Sequence, residues 1–118
     1  MNRMDIPLRT NESLSFDVYI TTAGSAKNLT GYTAEFYLKE TQSDIYATYD
    51  LSTYCTLTPL SGKISVMVPL SVIKTIAPAV YAYDLRVVSS SEDVGQVVCF
   101  GNIIVEKGIS DGVGVKPS

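Results

Sequence analysis

The chain has 118 residues, of which 46% are hydrophobic and 18% charged, and its formal net charge is −3. That length supports one ordinary hydrophobic core, and that balance of apolar to charged residues excludes intrinsic disorder. Histidine is absent and the nine Lys and Arg are scattered, which removes Ser-His-Asp and Cys-His catalysis, histidine metal ligation and a basic patch for nucleic-acid phosphates.

The first twenty residues hold no apolar run long enough for a signal-peptide core. No stretch approaches the ~18 apolar residues of a membrane span, so no membrane partner is expected. The expected product begins at Met1 and folds in a reducing cytoplasm.

Period-two alternation in runs rich in Val, Ile, Thr and Tyr then predicts half-buried strands. In the first, Leu14, Phe16, Val18 and Ile20 point to the core and Ser13, Ser15, Asp17, Tyr19 and Thr21 away from it. Turn-forming residues 22–28 end that strand. Over 32–39, Ala34, Phe36 and Leu38 face inward and Thr33, Glu35, Tyr37 and Lys39 outward. Residues 44–54 carry a weaker pattern, a short edge strand or hairpin, before a strand over 54–58 that Pro59 and the Ser61-Gly62 turn end. Ile64, Val66 and Val68 alternate with Lys63, Ser65 and Met67.

Residues 69–77 are the helical candidate, one or two turns with Ser71 as cap and Pro78 as stop. On the strand that follows, Tyr81, Tyr83, Leu85 and Val87 face inward, and Ala82, Asp84 and Arg86 outward. A polar hairpin loop over 89–95 leads to a last strand over 96–107. Six or seven short strands with turn signals every ~8–12 residues predict an antiparallel β-sandwich. The expected organisation is a single domain over 1–107 and a flexible, glycine-rich tail over 108–118.

No residue set supports catalysis, a cofactor or a metal. Glu35, Asp84 and Arg86 read as cross-strand charge pairing on a solvated sheet face. The loop acids Asp44, Asp50, Glu92 and Asp93 lack calcium-loop spacing. Cys55 and Cys99 are expected to be buried thiols, with a bridge between them as the alternative under oxidising conditions.

Two stretches carry a family resemblance. Asn28-Leu29-Thr30-Gly31-Tyr32-Thr33 and the run from Ile76 through Pro78, Tyr81 and Tyr83 to Asp84-Leu85 resemble the entry to the third strand, and the strand after the helical turn, of immunoglobulin-like β-sandwich modules in tailed-bacteriophage virion proteins. Residues 14–18 and 101–105 fit the same outline, and Ala79 departs from it, standing where the family pattern has glycine. The resemblance implies a sandwich of about seven strands with one short helical turn. It implies a non-enzymatic virion subunit of a tail, baseplate or neck, made in the host cytoplasm, whose partners are other virion proteins or copies of itself. Tyr81 stands where a tyrosine corner forms in such sandwiches, and Gly31 supplies a flexible backbone where the chain turns into the third strand.

The last strand carries the interface expectation. Its polar positions Gln96, Asn102 and Glu106 are all even-numbered, so the even face is expected outward together with Val98, Phe100 and Ile104. Val97, Cys99, Gly101, Ile103 and Val105 then face inward. A strand apolar on both faces has its outer side covered by the chain's own tail or loop, or by another subunit. A bulge at Gly101 would instead flip half the register. The interface expected is Tyr37, Val98, Phe100 and Ile104. The alternative is a host-surface or carbohydrate-binding adhesion module that uses Tyr46, Tyr49 and Tyr54, against which the absence of tryptophan counts.

Overall fold

The computed structural model describes residues 2–109, and the tail expected over 110–118 lies outside them. In chain order the strands are β1 (Asn2–Arg3), β2 (Ile6–Arg9), β3 (Leu14–Tyr19), β4 (Thr21–Thr22), β5 (Ser25–Ala26) and β6 (Thr33–Lys39). After these come β7 (Tyr49–Asp50), β8 (Cys55–Thr58), β9 (Lys63–Val68), the helix α1 (Leu70–Ile73), β10 (Ala79–Ser89) and β11 (Val94–Glu106). The larger sheet runs β1-β11-β10-β6-β7, with β2 also on β11, and the smaller runs β3-β9-β8. The chain is an all-β sandwich. Among the described residues no helix is long and apolar enough to cross a membrane.

The alternating side chains set the layers. Phe36, Leu38, Leu85 and Ile103 from the larger sheet and Ile64, Val66 and Val68 from the smaller are almost wholly buried. Phe36 bridges the layers, meeting Phe16 of the smaller sheet edge-on at 6.3 Å between centroids, and it packs against Tyr83 of its own sheet at 5.7 Å. The crossover from β9 to β10 is the single helical turn of α1. Ser71 does not cap it. Pro69 holds the cap position, with its carbonyl accepting from the Val72 and Ile73 N–H groups, and no side chain contributes. Burial of Ile73 and Ile76 anchors the crossover instead. Ala79 takes no left-handed backbone angle, so nothing there calls for the family's glycine.

The larger sheet is mixed rather than antiparallel throughout. β1 and β2 pair parallel with β11, from Asn2 opposite Cys99 to Arg9 opposite Glu106. A parallel pair needs a long connection, and here the chain supplies it by running through both sheets between its first strands and its last. Pro7 obscures β2 in the sequence, but proline is tolerated on an edge strand, and Ile6 and Leu8 beside it are buried. The fold also extends past residue 107: Gly108 is buried, its N–H donating to Thr10 Oγ1 at 3.0 Å.

The register of β11 changes at one point. Leu85 opposes Cys99 but Arg86 opposes Val97, which makes Val98 the extra residue of a bulge. Val98 and Cys99 are therefore both buried, and Val97 takes the outer row beside Arg86. The expected outward position of Val98 is corrected by this bulge, which falls at Val98 and not at Gly101.

Gly101 has another role. Its φ is 154°, and a β-carbon there would lie 2.5 Å from the Met4 carbonyl oxygen and 2.7 Å from Asp5 Oδ1. The segment between β1 and β2 crosses the strand at this point, held by Met4 N–H on the Phe100 carbonyl at 2.7 Å and Asn102 N–H on Asp5 Oδ1 at 3.0 Å. Gly101→Ala is expected to lower unfolding stability by about 2–3 kcal/mol, the scale of overpacking against backbone that cannot yield. Gly95→Ala, whose new methyl would meet nothing nearer than Arg86 Nη1 at 3.8 Å, should change it by less than ~1 kcal/mol. Equal urea midpoints for the two variants would show that the crossing is not tight.

Candidate functional site

Because odd residues of β6 and even residues of β10 face away from the core, β-pairing lines up one row across the outer face of the larger sheet. Asp50, Tyr37, Asp84, Phe100 and Arg3 follow one another across five strands. Tyr37, Asp84 and Phe100 are half-buried. They form the floor of a groove of about 640 Å³, which Ala82, Lys39 and Arg86 extend along the neighbouring rows.

One wall of the groove is the loop 40–48, which leaves β6 at Lys39 and returns with Thr48 N–H on the Leu38 carbonyl at 2.7 Å. Thr41 and Asp44 tie its base: Asp44 accepts from the Thr41 N–H at 3.0 Å and hydroxyl at 2.9 Å. Those bonds, the hydroxyl's first, hold the Asp44 carboxyl below its ordinary range. Ala47 and Gln42 line the groove from this loop, as does Ile45, which is 87% exposed.

The charges on the floor are unequally matched. Arg86 Nε donates to Glu35 Oε1 at 2.5 Å, the cross-strand pair that the sequence pattern predicts. The Tyr37 hydroxyl donates to Glu35 Oε2 at 3.4 Å, and burial, then the charges of Glu35 and Asp50, raise its pKa. At the sheet edge the Arg3 guanidinium lies 5.9 Å from the Phe100 centroid while its Nη2 reaches Asp5 at 3.2 Å.

Of the interface residues expected from sequence, Tyr37 and Phe100 share the groove. Ile104 lies outside its lining, half-buried between Pro7 and Val80 in the ladder, and Val98 is in the interior. Sequence reasoning missed Val97, whose facing the bulge reverses, and the wall residue Ile45. The signal for Ile45 was present, an apolar residue among Gln42, Ser43 and Asp44 in a weakly patterned stretch.

The three tyrosines of the alternative reading do not form one platform. Tyr46 is 83% exposed. Tyr49 stacks edge-on against Tyr81 at 5.6 Å and accepts the Ala77 N–H at 3.1 Å, and Tyr54 is half-buried against the core. Tyr81 is buried, and its hydroxyl donates to the Ala77 carbonyl at 2.6 Å, four residues upstream. Gly31 has φ 83° with no heavy atom near the site of a β-carbon, so backbone angle alone calls for glycine there. Cys55 and Cys99 are both free thiols. Burial pushes Cys55 up to about 11 and raises Cys99.

No family model matches the chain, and no curated protein matches it. Among solved structures, the chain is similar to one titled N-terminal domain of phage TP901-1 ORF48, with a TM-score of 0.48 and 14% identity over 91% of this chain and 100% of that one.

The tyrosines predict a pH response. Burial, then the contact with Tyr49, lifts Tyr81 from the ordinary 10.0 to about 12, and burial also raises Tyr83, whose hydroxyl donates to the Met4 carbonyl. A group with a raised folded pKa contributes its full stability below the unfolded value and loses it as pH climbs through the folded one. Unfolding stability should therefore fall between pH 10 and about 12. Tyr81→Phe should cost about 1–2 kcal/mol at neutral pH through the lost hydrogen bond, and should flatten the alkaline decline. Denaturant midpoints measured across that range test this, and an equally steep decline in the variant would count against it.

Proposed function

We propose that the chain is a non-enzymatic structural subunit of a tailed-phage virion that acts by protein–protein assembly through the groove on the outer face of β6, β10 and β11. The observation that carries this reading is apolar surface held open to solvent: Ile45 stands exposed beside a floor that includes Tyr37, Ala82 and Phe100. A folded domain retains such a patch where another surface covers it. The resemblance of residues 28–33 and 76–85 to phage virion modules supplies the class of assembly. The partners are other virion proteins or further copies of this chain, and its location is the virion. No cofactor enters this role. The adhesion alternative is left with Tyr46 as its one strongly exposed aromatic of the three, since Tyr49 and Tyr54 serve the fold.

Co-expression with the products of the neighbouring genes tests the proposal. Wild type is expected to elute in a complex whose mass exceeds that of the lone chain. Ile45→Asp and Phe100→Asp, with unchanged circular dichroism, should each weaken association by about 30-fold or more, the effect of losing a central apolar anchor. If no neighbouring product associates and the chain alone stays monomeric, the subunit reading fails. If both variants assemble like wild type, the surface lies elsewhere.

A further inference from the structure

We infer that the groove takes an arginine side chain presented by a partner protein, its guanidinium ion-paired with Asp84 and laid against the rings of Tyr37 and Phe100. This rests on the reading of the groove as an assembly surface and adds the chemistry of what enters it.

Most of the described carboxylates are matched within the chain. Asp5, Asp17, Glu35 and Glu106 are in ion pairs, and Glu12, Asp44, Asp50 and Glu92 accept hydrogen bonds. Asp84 has neither a hydrogen bond nor an ion pair among the described residues, and neither do Glu40 and Asp93. The last two sit exposed in loops, where water satisfies them, whereas Asp84 is half-buried in the middle of a sheet face between two aromatic rings. Neither of the groove's own cations pairs with it. Arg86 is held by Glu35, and Lys39, which pairs with Ala82 in the ladder, makes no ion pair with any described carboxylate.

Between two rings, a carboxylate favours a flat cation that can take both kinds of contact. Guanidinium is planar, forks its N–H donors onto carboxylate oxygens and stacks on aromatic faces, which a compact ammonium does less well. The chain already makes this arrangement once in the same row, where Arg3 lies over Phe100 with Asp5 as its carboxylate. The groove holds the other half of a second such set, a ring pair and a carboxylate with which no described cation pairs. The net charge of −3 favours approach of a basic partner.

The test uses the full isotope-labelled chain and three capped tripeptides, Gly-Arg-Gly, Gly-Lys-Gly and Gly-citrulline-Gly, followed by NMR. The arginine peptide should give saturable amide shifts centred on Tyr37, Asp84 and Phe100. The lysine peptide should bind more weakly, and the neutral citrulline isostere at least about tenfold more weakly. Asp84→Asn should lose the saturable response with a thermal midpoint at or above that of wild type. Equal response to citrulline, an undiminished response in Asp84→Asn, absence of saturation with arginine, or shifts centred on Glu40 and Asp93 would each overturn the inference. Failure of the two readings is distinguishable. If Phe100→Asp abolishes assembly while Asp84→Asn keeps both assembly and arginine response, the groove is the interface and the cation assignment is wrong. If the arginine peptide seats on Asp84 but no groove variant alters assembly, the arginine site stands and the assembly role falls.

Discussion

A strand inside a sheet must find partners for its backbone along both edges, and β11 is the strand on which that requirement falls hardest. Of its thirteen residues, those over 94–105 pair with β10 on one side, bulged at Val98, and those at 99–100 and 103–106 pair with β1 and β2 on the other. The second pairing brings the chain's first residues over its last strand, close enough that only a glycine fits at 101. Other features follow from that crossing. Tyr83 can be buried because its hydroxyl finds the Met4 carbonyl, and Phe100 is half covered because Arg3 reaches over it.

The bulge at Val98 is the second constraint, and it decides which residues the outer face can present. An unbroken alternation would have placed Val98 among the outer residues. With one extra residue, Val98 and Cys99 both enter the core and Val97 comes to the surface beside Arg86. The apolar excess of the last strand is thus divided, part absorbed by the interior and part left on a face where Phe100 meets Tyr37 and Asp84 across the ladder.

Much of the architecture could be read in the sequence because its signal is local. Ala34, Phe36 and Leu38, or Tyr81, Tyr83, Leu85 and Val87, state their facing by simple alternation, and the structure places each set toward the core. What depends on distant pairing could not be read in this way. Asn2–Arg3 and Ile6–Arg9 are strands only because β11 offers an open edge, and nothing within those short segments announces it. A bulge leaves no mark in a run such as Val97-Val98-Cys99, where every residue suits either face. The row from Asp50 to Arg3 needed the registers of four strand pairs, so its members could be assigned outward or left unassigned one by one but not assembled.

The two outer faces of the sandwich also differ in a way that bears on function. On the smaller sheet, Asp17 lies beside Ser65 and Thr56 in the ladder and Lys63 beside Thr58, with Asp17 and Lys63 ion-paired at 3.7 Å. Its exposed Tyr19 has the Lys63 ammonium 6.0 Å from its ring, so even the aromatic there is matched with a charge of the chain's own. Met67, beside Ser15 in the ladder, is the exposed aliphatic side chain of that face. The larger sheet has instead a carboxylate without an ion pair or hydrogen bond among the described residues, two rings beside it and an apolar loop residue above, none of which the core or the charge pairs require. Stability alone would favour a polar residue at Ile45 and a neutral one at Asp84. Their presence on one face and not on the other is what the proposed assembly role of β6, β10 and β11 would retain.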